Sequence, residues 1–243
     1  METKKLALIT GVSRQEGLGF EIARQLAEQD YKVIISARDT AKVIRLAARL
    51  QDEGLDIVPM VLDITSDDSV GKAFAEIAHR FEKLDVLINN AGAWYDAGVS
   101  PLSQTFDYTE QAFETNLFGA WRMVKVFVPL LEKSENGIIV NVSSGAGSFS
   151  DPQTGLVAKG DTTAYGISKL ALNGLTVKLA SELKPKGVRI NAACPGFTAT
   201  YEGTEQWGAR PVPDGARSIV WAATLPADGP TGGFFRDGKR LDW

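Results

Sequence analysis

Short apolar segments and longer amphipathic segments alternate along most of the chain. The short segments are rich in Val, Ile and Leu, which predicts strands covered on both faces, as in a parallel sheet. These predicted strands are Leu6–Thr10, Lys32–Ala37, Ile57–Leu62, Asp85–Asn89, Ile138–Val142, Val188–Ala193 and a short last one at Gly233–Phe235. The segments between them have helical periodicity and predict helices at Leu18–Glu28, Thr40–Glu53, Asp67–Phe81, Tyr108–Glu132, Thr163–Leu183 and Asp214–Thr224.

This order of elements predicts an α/β fold, a doubly wound parallel sheet of about seven strands with helices on both faces and right-handed crossovers. No linker, repeat or low-complexity tract divides the chain, so residues 1–243 are expected to form a single domain. Two stretches, Gly145–Asp161 and Thr198–Gly215, do not fit the alternation and are long for connections in a compact domain. We expect them to be functional loops near the substrate.

The composition narrows the possible functions. The 243 residues include 26 Lys+Arg and 30 Asp+Glu, a formal net charge of −4, so no nucleic-acid partner is expected. A single cysteine, Cys194, excludes an intrachain disulfide, and a single histidine, His79, excludes a multi-histidine metal site. No apolar run is long enough to span a membrane, and Leu6–Ile9 is too short for a signal-peptide core. We therefore expect a soluble cytoplasmic protein without a metal or a membrane partner.

A glycine-rich loop joins the first predicted strand to the first predicted helix. Its glycines are Gly11, Gly17 and Gly19. They allow a tight turn and a close approach to a pyrophosphate, which the helix N-terminus then binds, although an ordinary glycine turn gives the same pattern. Arg38 follows the second strand, and Arg14 lies in the loop. Both guanidinium groups suit the 2′-phosphate of NADP, and the alternative is that Asp39 holds the ribose hydroxyls.

A tyrosine and a lysine lie four residues apart in the fifth predicted helix. This spacing puts Tyr165 and Lys169 on one face, where an ammonium lowers the pKa of a phenol and allows proton exchange. Such pairs are common on helix surfaces, so the context matters. Polar residues end the two buried strands that precede the helix, at Asn89–Gly92 and at Ser144, where α/β sheets bind ligands. Asn116 is a poor helix former within a strongly patterned helix.

The combination of these motifs resembles the short-chain dehydrogenase/reductase family over essentially the whole chain. The motifs are, in order, Gly11…Gly17-Leu18-Gly19, Asn89-Asn90-Ala91-Gly92, Asn116, Ser144, Tyr165…Lys169 and Pro195-Gly196. Gly17–Ala23 and Gly229–Phe235 resemble the NADPH-dependent carbonyl reductases in particular. The resemblance implies a Rossmann-like fold, NADPH as cofactor, and the reduction of a ketone or an aldehyde.

The resemblance also implies catalytic roles. Tyr165 protonates the carbonyl oxygen as hydride arrives from the nicotinamide, and Lys169 lowers the pKa of Tyr165 and hydrogen-bonds the nicotinamide ribose. Ser144, rather than Ser143, donates a hydrogen bond to the substrate oxygen. Asn116 organises a water that continues the proton relay to Lys169.

The predicted cofactor-binding residues extend over several loops. They are Gly11, Ser13, Arg14, Gly17, Leu18, Gly19, Arg38, Asp63, Ile64, Asn90, Ala91, Gly92, Tyr165, Lys169, Pro195, Gly196, Thr198 and Thr200. Asp63 and Ile64 are expected at the adenine, and Pro195, Gly196 and Thr200 at the nicotinamide. The surrounding segments contain aromatic residues and few charges, which favours an apolar or aromatic carbonyl substrate. These candidate pocket residues are Trp94, Tyr95, Phe149, Phe197, Tyr201 and Trp207, of which we expect about half to be packing residues.

The chain departs from the family pattern in two places. Five residues rather than the usual three separate Gly11 from Gly17, and we expect the carboxylate of Glu16 among them to point away from the phosphates. The segment between Ser144 and Tyr165 is longer than usual, which leaves the oligomeric state open between a monomer and a dimer or tetramer. The alternative functions are an NAD-dependent secondary-alcohol dehydrogenase working oxidatively, and a non-catalytic NADP-sensing regulator.

Overall fold

The computed structural model describes residues 4–93, 96, 98–157 and 162–243. The strands in this part are β1 Leu6–Ile9, β2 Lys32–Ala37, β3 Ile57–Val61, β4 Val86–Asn89, β5 Gly137–Val142, β6 Val188–Ala193, β7 Phe234–Arg236 and β8 Lys239–Arg240. The helices are α1 Leu18–Ala27, α2 Thr40–Asp52, α3 Asp67–Phe81, α4 Phe106–Phe113, α5 Ala120–Leu131, α6 Thr163–Leu183 and α7 Val212–Ala223. A π-helical turn, Glu114–Gly119, joins α4 to α5.

The strands form one sheet in the order β3-β2-β1-β4-β5-β6-β7-β8. Strands β1 to β7 are parallel, so the predicted doubly wound α/β fold is confirmed. The antiparallel strand β8 was not predicted. It is formed by a hairpin turn at Asp237 and Gly238, which both have positive φ. An Asp-Gly dipeptide is a strong hairpin signal, and a strand of two residues is too short to show a pattern of its own.

Helices cover both faces of the sheet. Ile34 and Ile35 are neighbours in β2, both are fully buried, and they belong to different core clusters on opposite faces. One cluster packs the sheet against α1, α2 and α7, and the other packs it against α3, α5 and α6. Burial on both faces explains why the strands are continuously apolar rather than alternating.

The order of the strands decides where a ligand can bind. Strand β1 pairs with β2 on one side and with β4 on the other, so the chain reverses direction across the sheet between β3 and β4. Loops that leave β1 and β4 therefore diverge and open a crevice at the carboxyl ends of these strands, where open α/β sheets bind ligands.

The prediction of one continuous α-helix between β4 and β5 is wrong. The expected helix Tyr108–Glu132 consists of α4, the π-helical turn and α5. The π-helical turn contains Asn116, and its side chain bonds a neighbouring loop. The other predicted helices agree with the structure to within two residues, and α7 begins at Val212 instead of Asp214 because Pro213 fits the first helical turn.

The described parts of the two long loops contain short 3₁₀ turns. The first contains a short 3₁₀ turn, Gly145–Gly147, and is held to the end of the chain by the bond from Phe149 N–H to the Trp243 carbonyl (3.0 Å). Trp243 in turn stacks on Phe234 with ring centroids 5.6 Å apart. The second loop contains the 3₁₀ turn Thr204–Trp207. Helices long and apolar enough to cross a membrane are absent from the part of the chain that the structure describes.

Candidate active site

A cavity of about 490 Å³ lies where β1, β4, β5 and β6 end. It brings together most of the residues that the sequence predicted. Those that line it are Gly11, Ser13, Arg14, Gly17, Leu18, Gly19, Asn90, Gly92, Ser144, Tyr165, Lys169, Pro195, Gly196, Phe197, Thr198, Thr200, Tyr201 and Trp207. Residues separated by more than 150 positions in sequence thus face one space.

The glycine loop at one side of the cavity cannot accept larger residues. Gly11 has a φ of +73°, and a Cβ built there would lie 2.5 Å from the Cα of Ala91. A Cβ on Gly19 would lie 2.6 Å from Nδ2 of Asn90. Helix α1 starts directly after Gly17, which offers no side-chain cap. The N–H groups of its first turn can therefore bind a phosphate.

The ends of β1 and β4 are locked to each other beside this loop. The Thr10 hydroxyl accepts hydrogen bonds from the N–H groups of Asn90 (3.1 Å) and Ala91 (3.0 Å). Asn90 Nδ2 donates to the Thr10 carbonyl at 2.7 Å. Ala91 does not line the cavity, and its backbone supports the turn at Gly11.

The residues predicted at the adenine lie outside the cavity lining, at the ends of β2 and β3. Arg38 is exposed directly after β2. The pKa of Asp63 is lowered because hydrogen bonds from Thr65 and the charge of Arg38 outweigh the effect of burial, which would raise it. Ile64 packs against Gly119, where a Cβ would lie 2.5 Å from its Cδ1. Asp39 caps α2 by accepting from the Lys42 N–H at 3.0 Å.

The two adjacent serines after β5 have different environments. Ser143 is buried and donates to Oδ1 of Asn173 at 2.6 Å, so its hydroxyl belongs to the packing beneath the site. Ser144 hydrogen-bonds the side chain of Tyr165, which lowers the pKa of the tyrosine. The structure therefore brings Ser144 and Tyr165 together, as the sequence predicted.

Tyr165 and Lys169 lie on one face of α6, and burial shifts the pKa of each. Burial raises the pKa of Tyr165 to about 12, despite the hydrogen bond from Ser144. Burial also lowers the pKa of Lys169 to about 8. Removal from water disfavours both charged forms, which explains the direction of both shifts. The lowering of the tyrosine pKa by the ammonium stays a prediction. Lys169 Nζ donates to the Val142 carbonyl at 2.8 Å and lies 5.7 Å from the centroid of the Tyr165 ring.

Asn116 stands behind the cavity rather than in its lining. Its Oδ1 accepts from Ala93 N–H (2.8 Å), and its Nδ2 donates to the Ala93 carbonyl (3.0 Å) and to the Ser168 hydroxyl (2.9 Å). These bonds explain why a π-helical turn interrupts the helix here, since such turns redirect side chains and are frequent at functional sites. A Cβ built on Gly92 would lie 3.4 Å from both Asn116 Oδ1 and Lys169 Nζ.

Asp96 is a site residue that the sequence analysis missed. Its side chain is fully buried, and its Oδ2 accepts from the backbone N–H of Ala164 at 2.5 Å. Its two oxygens also lie 3.3 and 3.4 Å from the N–H of Tyr165. A loop residue thus caps the helix that carries the tyrosine, although Thr162, the residue before that helix, provides no side-chain cap. No local pattern could reveal a cap that lies 68 positions away from Ala164.

The predicted aromatic pocket is only partly formed. Phe197, Tyr201 and Trp207 line the cavity, whereas Phe149 does not and is 57% exposed. Trp94 and Tyr95 lie outside the described residues. The lining also contains charged side chains on the side of Gly145, namely Asp151 and Arg236. The expectation of a pocket with few charges is therefore wrong at this end.

Comparisons with known proteins identify the family of this chain. A family model described as short chain dehydrogenase matches residues 5–209. The chain belongs to this family. It is 36% identical over 230 residues to the short-chain dehydrogenase anuI of Penicillium roqueforti (strain FM164), covering 91% of this chain and 89% of that protein. It is 31% identical over 291 residues to the (+)-neomenthol dehydrogenase of Arabidopsis thaliana, covering 96% of each.

One of the similar solved structures is a complex with NADP. A metagenomic short-chain oxidoreductase in complex with NADP superposes on this short-chain dehydrogenase with a TM-score of 0.77 and 27% identity, over 96% of each chain. The family uses a nicotinamide cofactor. The cavity fits such a dinucleotide, because Gly11 and Gly19 leave the backbone bare and the N-terminus of α1 carries no competing side-chain cap.

Proposed function

We propose that this short-chain dehydrogenase reduces a ketone or an aldehyde to the alcohol, using NADPH and with Tyr165 as the proton donor. The convergence of Ser144, Tyr165 and Lys169 in one cavity with the glycine loop carries the proposal. Burial raises the pKa of Tyr165 to about 12, so the phenol is protonated at neutral pH. A protonated phenol is the form that a reduction needs, because the reduced carbonyl oxygen must receive a proton.

Each residue of the site then has a distinct task. The Ser144 hydroxyl donates to the carbonyl oxygen and polarises it, and Tyr165 transfers its proton to that oxygen. Lys169 lies one helical turn from the tyrosine, and its proposed task is to hold the nicotinamide ribose and to return a proton to the phenolate. Bound NADPH supplies the hydride that forms the new C–H bond. Asn116 holds the Ala93 segment against α6. Its side-chain oxygen lies close to Gly92, and a relay water would bind in the space beside that oxygen.

The choice of NADP over NAD rests on the end of β2. The exposed guanidinium of Arg38 suits a 2′-phosphate. Asp39, the alternative ligand for ribose hydroxyls, already accepts the α2 N-cap bond. The NADP complex of the metagenomic relative supports the same choice.

The central experiment compares the wild type with Tyr165→Phe. We expect kcat for NADPH-dependent reduction of a ketone to fall by about 10²- to 10⁴-fold, because the proton donor is lost. NADPH binding, measured by fluorescence titration, should persist, which separates a catalytic defect from misfolding. Carbonyl reduction that survives in Tyr165→Phe would overturn the catalytic assignment.

The cofactor choice has its own test. The wild type should show a higher kcat/KM with NADPH than with NADH, and Arg38→Ala should lower the NADPH value about 10-fold or more, since it removes a charge-assisted phosphate contact. Equal values with the two cofactors in the wild type would overturn the NADP assignment, and a higher value with NADH would favour the NAD-dependent secondary-alcohol dehydrogenase. Only the oxidative direction of that second candidate agrees with the name of the Arabidopsis relative, a (+)-neomenthol dehydrogenase. A non-catalytic NADP-sensing regulator would bind NADPH and reduce no carbonyl.

A further inference from the structure

An ion pair lies in the lining of the active-site cavity. Arg236 at the end of β7 donates from Nη2 to Oδ2 of Asp151, in the loop after β5, at 2.8 Å. Both residues line the same cavity as Tyr165. The proposed reduction does not use either of them, so their presence in a substrate cavity needs its own explanation.

Asp151 is largely engaged by its own loop. Its Oδ1 accepts from the N–H groups of Gln153 (3.0 Å) and Thr154 (2.9 Å) and from the Thr154 hydroxyl (3.2 Å). Burial alone would raise the pKa of Asp151, but these donors and Arg236 outweigh it and lower the pKa. The carboxylate is therefore a fixed anchor of the loop, and only Oδ2 faces the guanidinium.

Arg236 keeps donor capacity that the protein does not use. Its Nε and Nη2 lie 3.4 and 3.2 Å from the Cys194 sulfur, which is a weak acceptor. A guanidinium has five N–H donors, two of them on Nη1. Among the residues that the structure describes, Nη1 has no hydrogen-bond partner. The side chain is 26% exposed and lines the cavity, so these donors are available to a ligand.

The position of Arg236 places this donor group next to the reacting centre. A Cβ built on Gly145 would lie 2.7 Å from Arg236 Nη2. Gly145 directly follows Ser144, the residue that hydrogen-bonds Tyr165. The absence of a side chain at Gly145 thus allows the guanidinium to lie against the backbone of the residue next to Ser144.

We propose that Arg236 is a substrate-recognition residue that binds a second oxygen of the substrate, close to the carbonyl that is reduced. The substrate class is a carbonyl compound with a neighbouring carboxylate, ester or keto oxygen, and a carboxylate binds most tightly because a guanidinium can pair with it in a bidentate manner. Asp151 sets the direction of the guanidinium and holds it against the loop. This inference rests on the proposed reduction and specifies its substrate.

The kinetic test compares three phenyl ketones with NADPH: benzoylformate, ethyl benzoylformate and acetophenone. In Arg236→Gln, kcat/KM for benzoylformate should fall by about 10- to 100-fold relative to the wild type, the range expected for losing charged hydrogen bonds. The loss for the ester should be smaller, and the loss for acetophenone smaller again. Comparing each substrate with itself in the wild type removes differences in intrinsic reactivity. Arg236→Lys, which keeps the charge but not the planar group, should recover part of the loss for benzoylformate.

The matched control is Arg240→Gln in the exposed strand β8, which changes the net charge by the same amount away from the cavity. It should alter none of the three kcat/KM values. Equal losses for all three ketones in Arg236→Gln would show that the residue only supports the loop and would overturn the proposal. A loss of NADPH affinity as large as the loss for benzoylformate would also overturn it, because the guanidinium would then serve the cofactor.

A binding measurement tests the role of Arg236 without requiring catalytic turnover. Calorimetry with the protein and NADP⁺ compares benzoate with benzamide, two ligands of similar shape that differ in charge. The wild type should bind benzoate at least about 10-fold more tightly, and Arg236→Gln should abolish the difference. Absence of that preference in the wild type overturns the recognition role. If benzoate is preferred but no ketone is reduced, the proposed function fails while the anion site stands.

Discussion

The buried carboxylate of Asp96 makes a sharp prediction about how α6 is positioned. It accepts hydrogen bonds from two N–H groups at the start of the helix, at 2.5 Å from Ala164 and at 3.3 and 3.4 Å from Tyr165. Asp96→Ala leaves both groups buried without an acceptor. Each unsatisfied buried donor costs about 1–3 kcal/mol, so the loss of both acceptor contacts should lower the free energy of unfolding by roughly 2–6 kcal/mol. For a chain of this size that corresponds to a Tm lower by about 5–25 °C.

The effect on catalysis should exceed what lost stability explains. The N–H of Tyr165 is itself one of the two donors, so a relaxed helix start moves the phenol relative to Ser144. A misplacement of about 1 Å can cost about 10²-fold in rate. We therefore expect kcat of the folded Asp96→Ala protein to fall by about 10- to 100-fold at a temperature well below its Tm. Asp96→Asn keeps an acceptor oxygen and should lose only about 1 kcal/mol and retain most of kcat.

The assay combines thermal unfolding with steady-state reduction of a ketone by NADPH. The matched control is Ser66→Ala, which removes the N-cap of α3, where the Ser66 hydroxyl accepts from the Ser69 N–H at 3.3 Å. It should cost about 1 kcal/mol of stability without a change in kcat. An Asp96→Ala protein with a lowered Tm and a wild-type kcat would refute the positioning argument. An unchanged Tm would refute the estimate of how much these hydrogen bonds contribute to the free energy of unfolding.

Three further predictions concern the rest of the site. The rate of reduction should fall as the pH rises through about 8, because burial lowers the pKa of Lys169 to about 8 and its ammonium is lost above that pH; a kcat/KM profile that stays flat to pH 10 would contradict this. Gly11→Ala should lower the free energy of unfolding by about 2–4 kcal/mol, since a Cβ there meets backbone at 2.5 Å, whereas Gly54→Ala, with a φ of +83° and open space, should cost only about 1 kcal/mol in the same denaturant titration. The Arg14 guanidinium lies 4.1 Å from the centroid of the Tyr201 ring. A double-mutant cycle with Arg14→Ala and Tyr201→Ala, measured on NADPH affinity, should therefore give a coupling energy of about 0.5–2 kcal/mol. Additive losses of affinity would show that the two loops bind the cofactor independently.

Much of the architecture could be predicted because it depends on local patterns. A strand covered on both faces must be apolar throughout, and β2 and β6 lie within the predicted bounds. Gly11 and Gly19 could also be predicted as loop glycines from their place between a strand and a helix. The structure agrees, because a Cβ at either position would clash with a neighbouring residue. The family motifs also indicated the candidate catalytic residues, because the order of these motifs along the chain is a property of the sequence.

Contacts between segments that are distant in sequence could not be predicted from local patterns. The π-helical turn depends on bonds between Asn116 and the Ala93 backbone, 23 positions away. Asp151 and Arg236 are 85 positions apart, and nothing near either residue signals that they share a cavity. Phe149 was expected in the pocket from its place in the loop, but the bond of that loop to Trp243 leaves the ring exposed.

The sequence by itself determined the sheet, its helices and the chemical groups available for catalysis, because hydrophobic periodicity and residue identity are local properties. Only the tertiary structure decided the direction in which the pKa values of Tyr165 and Lys169 shift, since burial shifts a pKa and burial is a result of packing. It also decided which charged side chains line the cavity. Arg236 is an ordinary residue in the amino-acid sequence and becomes a candidate recognition group because β7 ends beside β6, with a bare glycine opposite.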